Sequence, residues 1–349
     1  MYYPIKFKPV YKDYIWGGRY FEKLDRELPD GTVAESWELS CHKNGLSVVS
    51  NGEHSGKTLT EIIKADSINI LGKKFPVDCK EIPLLIKLID ANDRLSVQVH
   101  CEDNYAAVYE GSSGKNEMWY IMDVQPEAKL VAGLKPEVTR EEFDKAIREN
   151  RIEDCLQNIE VKPGDVINIP AGLVHAIGAG IVIAEIQQCS DTTYRVFDYN
   201  RVDNNGACRP LHLQKAFDVI KFDAASRNAK CEGIDIKVNE SCSKTIFLAN
   251  KYFACERFDV KGSFSDSCDG SKFYVYICIE GQGDIKTDNM TVDFKAGETV
   301  FLPAALGKYK LTGQFKVLKT YVPDFINDIV EPMRKAGCTD EEIFRVLNY

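Results

Sequence analysis

Several things are scarce in this chain, and each scarcity excludes a class of protein. No C-x-x-C pair occurs among the twelve cysteines. Their irregular spacing argues against a disulfide framework or a thiolate metal cluster, so the thiols are read as reduced. No apolar run approaches the length of a membrane span. The opening stretch MYYPIKFKPVYKDYIWGG lacks the apolar core of a signal peptide, and a cytoplasmic chain is expected. Positive charge is outnumbered, with 44 Lys and Arg against 53 Asp and Glu for a net charge of −9. That excludes general nucleic-acid binding but leaves room for a local cationic pocket that takes one phosphate. Histidine is scarce too, at five residues, and His42, His54 and His212 read as satisfied structural side chains.

What is present suits a globular protein. With 349 residues, 44% hydrophobic and 28% charged, the chain can bury a sizeable core and is expected to form two domains. The other two histidines fall in patterned segments. Gln98 and His100 lie two apart in the alternating stretch SVQVH, so on a strand both face one way. Glu117 follows in GKNEMWY. His175 ends GDVINIPAGLVH, a strand stopped by a turn at Pro170 and Gly172, with the imidazole at the start of the next strand. Two imidazoles, one carboxylate and one amide oxygen suit Zn²⁺, with Fe²⁺ and Mn²⁺ as alternatives.

The spacing Gly164-x5-Pro170-x-Gly172-x2-His175 resembles the second metal-binding motif of the cupin superfamily, whose members are jelly-roll β-barrels. Gln98 stands where a first-motif histidine is usual, and residues 101 to 116 separate His100 from Glu117. The segments LIKLIDANDRLSVQVH, GKNEMWYIMD and EIQQCSDTTYRVFDYNR, with IWGG, AESWELS and RPLHLQKAFDVI, resemble class I mannose-6-phosphate isomerase in its short bacterial form. Cys101 takes a position where that family usually has proline. The resemblance implies one zinc ion per chain, held by Gln98, His100, Glu117 and His175. It also implies a phosphorylated sugar as the small-molecule partner and interconversion of mannose 6-phosphate with fructose 6-phosphate.

An internal repeat supports a mainly β, double-cupin architecture. PGDVINIPAGLVH, residues 163 to 175, overlays AGETVFLPAALGK, residues 296 to 308, placing Lys308 over His175. The region FYVYICIEGQGDIKTDNMTVDFKAGETVFLP alternates like half-buried antiparallel strands and contains no histidine. The expected division is a metal-binding catalytic cupin domain at 1–230, a second barrel without ligands at 231–322, and a helical tail at 323–349. The linker is read at 221–230. A capping box of Thr139 and Glu142 predicts a helical insertion at about 139–158. LHLQKAFDVI predicts a helix on the barrel, and Thr339 with Glu342 caps a last helix after Gly337.

For aldose-ketose isomerisation the resemblance implies Arg195 as a catalytic cation for the enediolate. Strand parity places Glu185 on the cavity side of IVIAEIQQ, and it is read as the proton carrier beside the competing choice of metal-bound hydroxide. The resemblance assigns the phosphate to Ser96, Lys87 and Lys115, with Arg201 as a further cation, and Trp16 to a wall of the sugar pocket. Lys87 also interrupts the apolar run IPLLIKLI, where an ammonium must meet an anion. Glu35 is set aside as a strand residue paired with a neighbour. The rival readings are an iron oxygenase of the same superfamily and a non-catalytic sugar-phosphate-binding cupin.

Overall fold

The structure is a computed structural model that describes residues 2–202, 206–222 and 229–347. Most of the linker read at 221–230 lies outside the described residues. The chain folds into two compact units, and the first holds residues 11–36 and the described part of 87–230.

Two sheets build the first unit. One runs β10 (Val166–Ile169), β7 (Glu117–Val124), β12 (Ile181–Gln188), β5 (Leu84–Ala91), β3 (Glu35–Leu39), β2 (Val10–Lys12). The other runs β13 (Tyr194–Phe197), β6 (Val97–Val99), β11 (His175–Ile177), β8 (Lys129–Leu134), β9 (Leu156–Glu160). Trp119, Ile121, Ile167 and Ile183 of the first sheet pack with Leu130 and Ile177 of the second in one buried cluster. The second sheet has apolar residues on its other face as well. Val97, Val99, Tyr194 and Val196 pack there against Ala106 of α3 (Asp103–Tyr109), Phe143 of α4 (Arg140–Arg148) and Phe217 of α5 (Leu213–Val219). Since side chains alternate along a strand, burying Val97 and Val99 under the helices turns Ser96, Gln98 and His100 to the opposite face.

The turn before His175 depends on a glycine. Gly172 has φ +92° and donates its N–H to the His100 carbonyl at 2.9 Å. A Cβ there would lie 2.7 Å from Lys221 Cγ. Left-handed backbone and close approach both favour glycine at this position.

The helical reading of 139–158 needs correction. The capping box of Thr139 and Glu142 forms as expected, but α4 stops at Arg148. Asn150 then takes φ +55°, a single 3₁₀ turn spans Ile152–Cys155, and residues from Leu156 form β9 against β8. Leu156 is buried from a strand that alternates over only five residues.

The second unit holds residues 2–10, 37–86 and 231–347, so it takes segments from both sides of the first in sequence. Its nine-stranded sheet runs β14 (Ile234–Asn239), β15 (Cys242–Ala249), β16 (Ala254–Cys268), β20 (Gly307–Tyr321), β17 (Tyr274–Lys286), β19 (Thr299–Leu302), β1 (Ile5–Lys8), β4 (Val48–Val49), with β18 (Thr291–Lys295) on β17. Two short helices, α1 (Leu59–Ala65) and α2 (Ser67–Leu71), belong to the same unit. The tail forms a π-helical turn over Phe325–Val330, then α6 (Glu331–Lys335) and α7 (Asp340–Val346). Ile329, Met333, Ile343 and Val346 pack on Ile246, Ala249 and Ala254, so the tail is part of this unit's core.

Candidate metal centre and active site

Strand register in the first unit lines up a row of polar side chains. On the second sheet Gln98 of β6 lies opposite His175 of β11 on one side and Arg195 of β13 on the other. On the first sheet Glu117 of β7 lies opposite Gln187 of β12, and Trp119 opposite Glu185.

His100, Glu117 and His175 come together as a buried group whose ligand atoms all lie within 4.8 Å of one another. Each imidazole is oriented from behind. His100 Nδ1 is 3.0 Å from the Thr192 carbonyl oxygen, and His175 Nδ1 is 2.8 Å from that of Leu173. A carbonyl can only accept, so both rings carry their proton on Nδ1 and turn the Nε2 lone pair inward. His100 Nε2 is 3.3 Å from Glu117 Oε1, and His175 Nε2 is 3.9 Å from Glu117 Oε2. The Gln98 amide closes the group, with Nε2 3.3 Å from His175 Nε2 and Oε1 accepting from Ser96 Oγ at 3.2 Å.

Protonation suits a cation. Burial, with His100 alongside, holds His175 down at about 3. Burial and the Lys115 ammonium also lower His100. Burial opposes the Glu117 charge, but Lys115 and His100 outweigh it and keep the carboxyl well below its usual range. At neutral pH the group is therefore two neutral imidazoles and one carboxylate. Glu117 is 1% exposed, yet neither carboxylate oxygen receives a hydrogen bond of good geometry. Its close cation is Lys115, whose Nζ lies 2.5 Å from Oε1 and 3.2 Å from His100 Nε2. A buried carboxylate with unused lone pairs, facing two inward Nε2 atoms, fits a divalent ion.

A second buried cluster sits beside the first. Lys87 Nζ is 3.2 Å from Glu185 Oε2 and 3.5 Å from Glu35 Oε2. The indole N–H of Trp119 donates to Glu185 Oε1 at 3.0 Å. Burial works against the Lys87 charge, but Glu35, Glu185 and Glu117 more than offset it and the ammonium persists. Burial and the charge of Glu117 raise the Glu185 carboxyl above its ordinary value. Lys87 thus meets the anion its apolar run required, and that anion is a pair of carboxylates.

The other residues singled out in the sequence fall around these clusters. Arg195 donates from Nη1 to the Pro210 carbonyl at 2.9 Å, while its Nε is buried and makes no hydrogen bond. Arg201 is engaged by Asp198 at 2.6 Å and Asp93 at 3.1 Å. Trp16 is 4% exposed, packs in the inter-sheet core and stacks on Tyr14. Glu35, set aside in the sequence as a strand residue paired with a neighbour, lies on β3 and pairs with Lys87. Arg209, for which the sequence suggested no role, grips Asp198 through Nε at 2.7 Å and Nη2 at 2.5 Å.

Comparison with known proteins agrees with this arrangement. Residues 5–146 match the family described as phosphomannose isomerase type I, catalytic domain, and residues 243–322 match mannose-6-phosphate isomerase, cupin domain. The chain is 36% identical over 91% of its length, and 99% of the relative's, to the mannose-6-phosphate isomerase ManA of Bacillus subtilis. It is 33% identical to a mannose-6-phosphate isomerase of Streptococcus mutans, over 88% of this chain and 94% of that one. A crystal structure of the mannose 6-phosphate isomerase from Bacillus subtilis superposes with TM-score 0.84 at 32% identity, covering 91% of this chain and 99% of the other. An engineered variant of the phosphomannose isomerase from Salmonella typhimurium, 15% identical, shares the fold with TM-score 0.73 over 92% of this chain and all of that one.

Proposed function

The chain belongs to the type I phosphomannose isomerase family, and from that premise we propose that it interconverts D-mannose 6-phosphate and D-fructose 6-phosphate in the cytoplasm with one Zn²⁺ per chain. The observation that carries this reading is the buried group of His100, Glu117 and His175, with both Nε2 atoms turned inward in the protonation state a metal needs. Gln98 is the proposed fourth donor, and ligation through its amide oxygen takes a flip of the amide that exchanges Oε1 with the Nε2 now 3.3 Å from His175 Nε2. When bound, the zinc supplies Lewis-acid stabilisation of negative charge on the sugar oxygens.

The reaction moves one proton between adjacent carbons. A base takes the proton from C2 of the aldose to leave the enediolate, a proton passes from the C2 oxygen to the C1 oxygen, and the proton held by the base returns at C1 to give the ketose. Glu185 is the proposed base. Its burial raises its proton affinity toward what abstraction near neutral pH requires, and Trp119 and Lys87 hold its two oxygens in place. Arg195 shares the sheet row with Gln98 and His175, and its unpartnered buried Nε–H is available to an enediolate oxygen. Ser96, Lys87, Lys115 and Arg201 are the proposed phosphate contacts. Lys115 lies beside the ligand group itself and already neutralises Glu117, so a phosphate on it would sit close to the metal. Trp16, as a wall of the pocket, acts through the core in which it is packed.

A coupled assay of fructose 6-phosphate formation tests the reading on protein as purified, after chelation, and after zinc is restored. The expected result is turnover that chelation removes and zinc returns. Absence of turnover in zinc-loaded, folded protein would overturn the isomerase assignment, and oxygen consumption on iron loading would support an oxygenase instead.

A further inference from the structure

The metal ligands come from segments far apart in sequence, and one pair of side chains ties those segments together. Gln188 Oε1 accepts from both the backbone N–H and the side-chain Nδ2 of Asn116, at 3.0 and 2.8 Å. The Gln188 N–H returns a bond to the Asn116 carbonyl at 3.1 Å. Gln188 Nε2 donates to Asp103 Oδ1 at 2.9 Å, and the same oxygen accepts from the Gly114 N–H at 2.9 Å. Asn116 Oδ1 accepts from the Ala171 N–H at 3.0 Å. These bonds join the segment after His100, the residue before Glu117, the turn before His175 and the end of β12.

The same segment continues to the back of His100. Gln187 Nε2 donates to the carbonyls of Gln188 and Ser190 at 2.8 and 2.6 Å, fixing the run that leads to the Thr192 carbonyl against His100 Nδ1. Close packing reinforces the clamp, because a Cβ on Gly114 would lie 2.6 Å from Asp103 N and 2.8 Å from the Cys101 carbonyl oxygen. Gln188 is 5% exposed. None of Gln188, Asn116 and Asp103 is a proposed ligand.

We propose that Gln188, through Asn116 and Asp103, is a positioning residue that sets the spacing of His100, Glu117 and His175 and thereby the affinity of the site for its metal. The inference rests on the reading of that triad as a metal site. The side-chain amide suits the task, since it accepts from Asn116 and donates to Asp103 at once, whereas a carboxylate accepts only. Outer contacts of this kind typically change metal affinity about 10- to 100-fold.

The test measures the Zn²⁺ dissociation constant of metal-stripped protein by competition with a chromophoric chelator, alongside the melting temperature of the metal-free form. Gln188→Leu and Gln188→Glu should each weaken zinc about 10- to 100-fold, with the KM for mannose 6-phosphate unchanged at saturating zinc. Combining Gln188→Leu with Asp103→Ala should weaken zinc by less than the product of the two single effects, because both act through one hydrogen bond, a coupling that general destabilisation would not give. Zinc affinity within twofold of wild type in both Gln188 variants would overturn the proposal. So would effects of Gln188→Leu and Asp103→Ala that simply multiply. Should Gln188→Leu fail to fold, the Gln188→Glu comparison decides. Wild-type protein that binds zinc without turnover would count against the isomerase reading and leave this measurement intact.

Discussion

The two units place polar groups at matching points of their sheets and treat charge differently. In the first, Ile169 precedes Pro170 and lies opposite Glu117, and His175 lies opposite Gln98. In the second, Leu302 precedes Pro303 and lies opposite Tyr274, and Tyr309 lies opposite Asp266. Glu185 faces Trp119 in the first unit, while in the second Lys319 faces Tyr276. There the Lys319 ammonium is 2.7 Å from Asp266 Oδ2 and 3.7 Å from the Tyr274 ring centroid. The Tyr309 hydroxyl donates to the same Asp266 oxygen at 3.0 Å and lies 2.8 Å from the Tyr276 hydroxyl. Both units answer an acid with a lysine of their own, Lys115 at Glu117 and Lys319 at Asp266, but the first also turns two imidazole Nε2 lone pairs inward that call for a cation from outside. Glu117 is buried whereas the Asp266 side chain is 27% exposed, so the demand for positive charge is greater in the first unit.

The strongest way to break the comparison is to remove a ligand on one side and its counterpart on the other. His175→Ala should abolish zinc binding at micromolar metal and lower kcat/KM by at least about 10³, whereas Tyr309→Phe should leave both unchanged. Next in size, Arg195→Ala should reduce kcat about 10²- to 10³-fold with little change in KM, as expected when a donor to a developing oxyanion is lost. An effect on KM alone would make it a binding residue.

Lys319→Met addresses the second unit. It leaves the partly exposed Asp266 without its ammonium and should destabilise the protein by about 1 to 2 kcal/mol, less than the loss of a fully buried pair, read by chemical denaturation, while turnover per folded molecule stays at the wild-type level. The smallest expected effect is on pH dependence. His175 is depressed to about 3, so between that value and the unfolded value near 6.5 the unfolded chain binds the proton that the folded chain refuses. The melting temperature of metal-free protein should therefore fall as pH drops from about 6.5 toward 4. His175→Gln should flatten that slope.

The site was legible to the extent that spacing fixed it. Parity in SVQVH and the Pro-x-Gly turn before His175 sufficed to bring Gln98, His100 and His175 together, because strand alternation is a local property. Alignment of the repeat was off by one residue for a physical reason. Gly307 takes φ +81° and opens β20, leaving Lys308 exposed and turning Tyr309 inward, and a slip of one residue changes the face of every side chain. The partners of Lys87 were not legible, since Glu35 and Glu185 reach it only when three distant strands share a sheet. Leu156 was misassigned to a helix because a five-residue strand carries too short a period to outweigh the capped helix before it. The capping box at Thr58 and Glu61 that starts α1 was there to read and went unread.

Whether the inward lone pairs of the first unit take one cation from outside, while the second unit takes none, is decided by titrating metal-stripped protein with Co²⁺ and following its d–d absorption. The account predicts a single equivalent, abolished in the His100→Ala/His175→Ala double variant and unchanged in Asp266→Asn. A second equivalent lost with Asp266→Asn, or an equivalent that persists without both histidines, would contradict it.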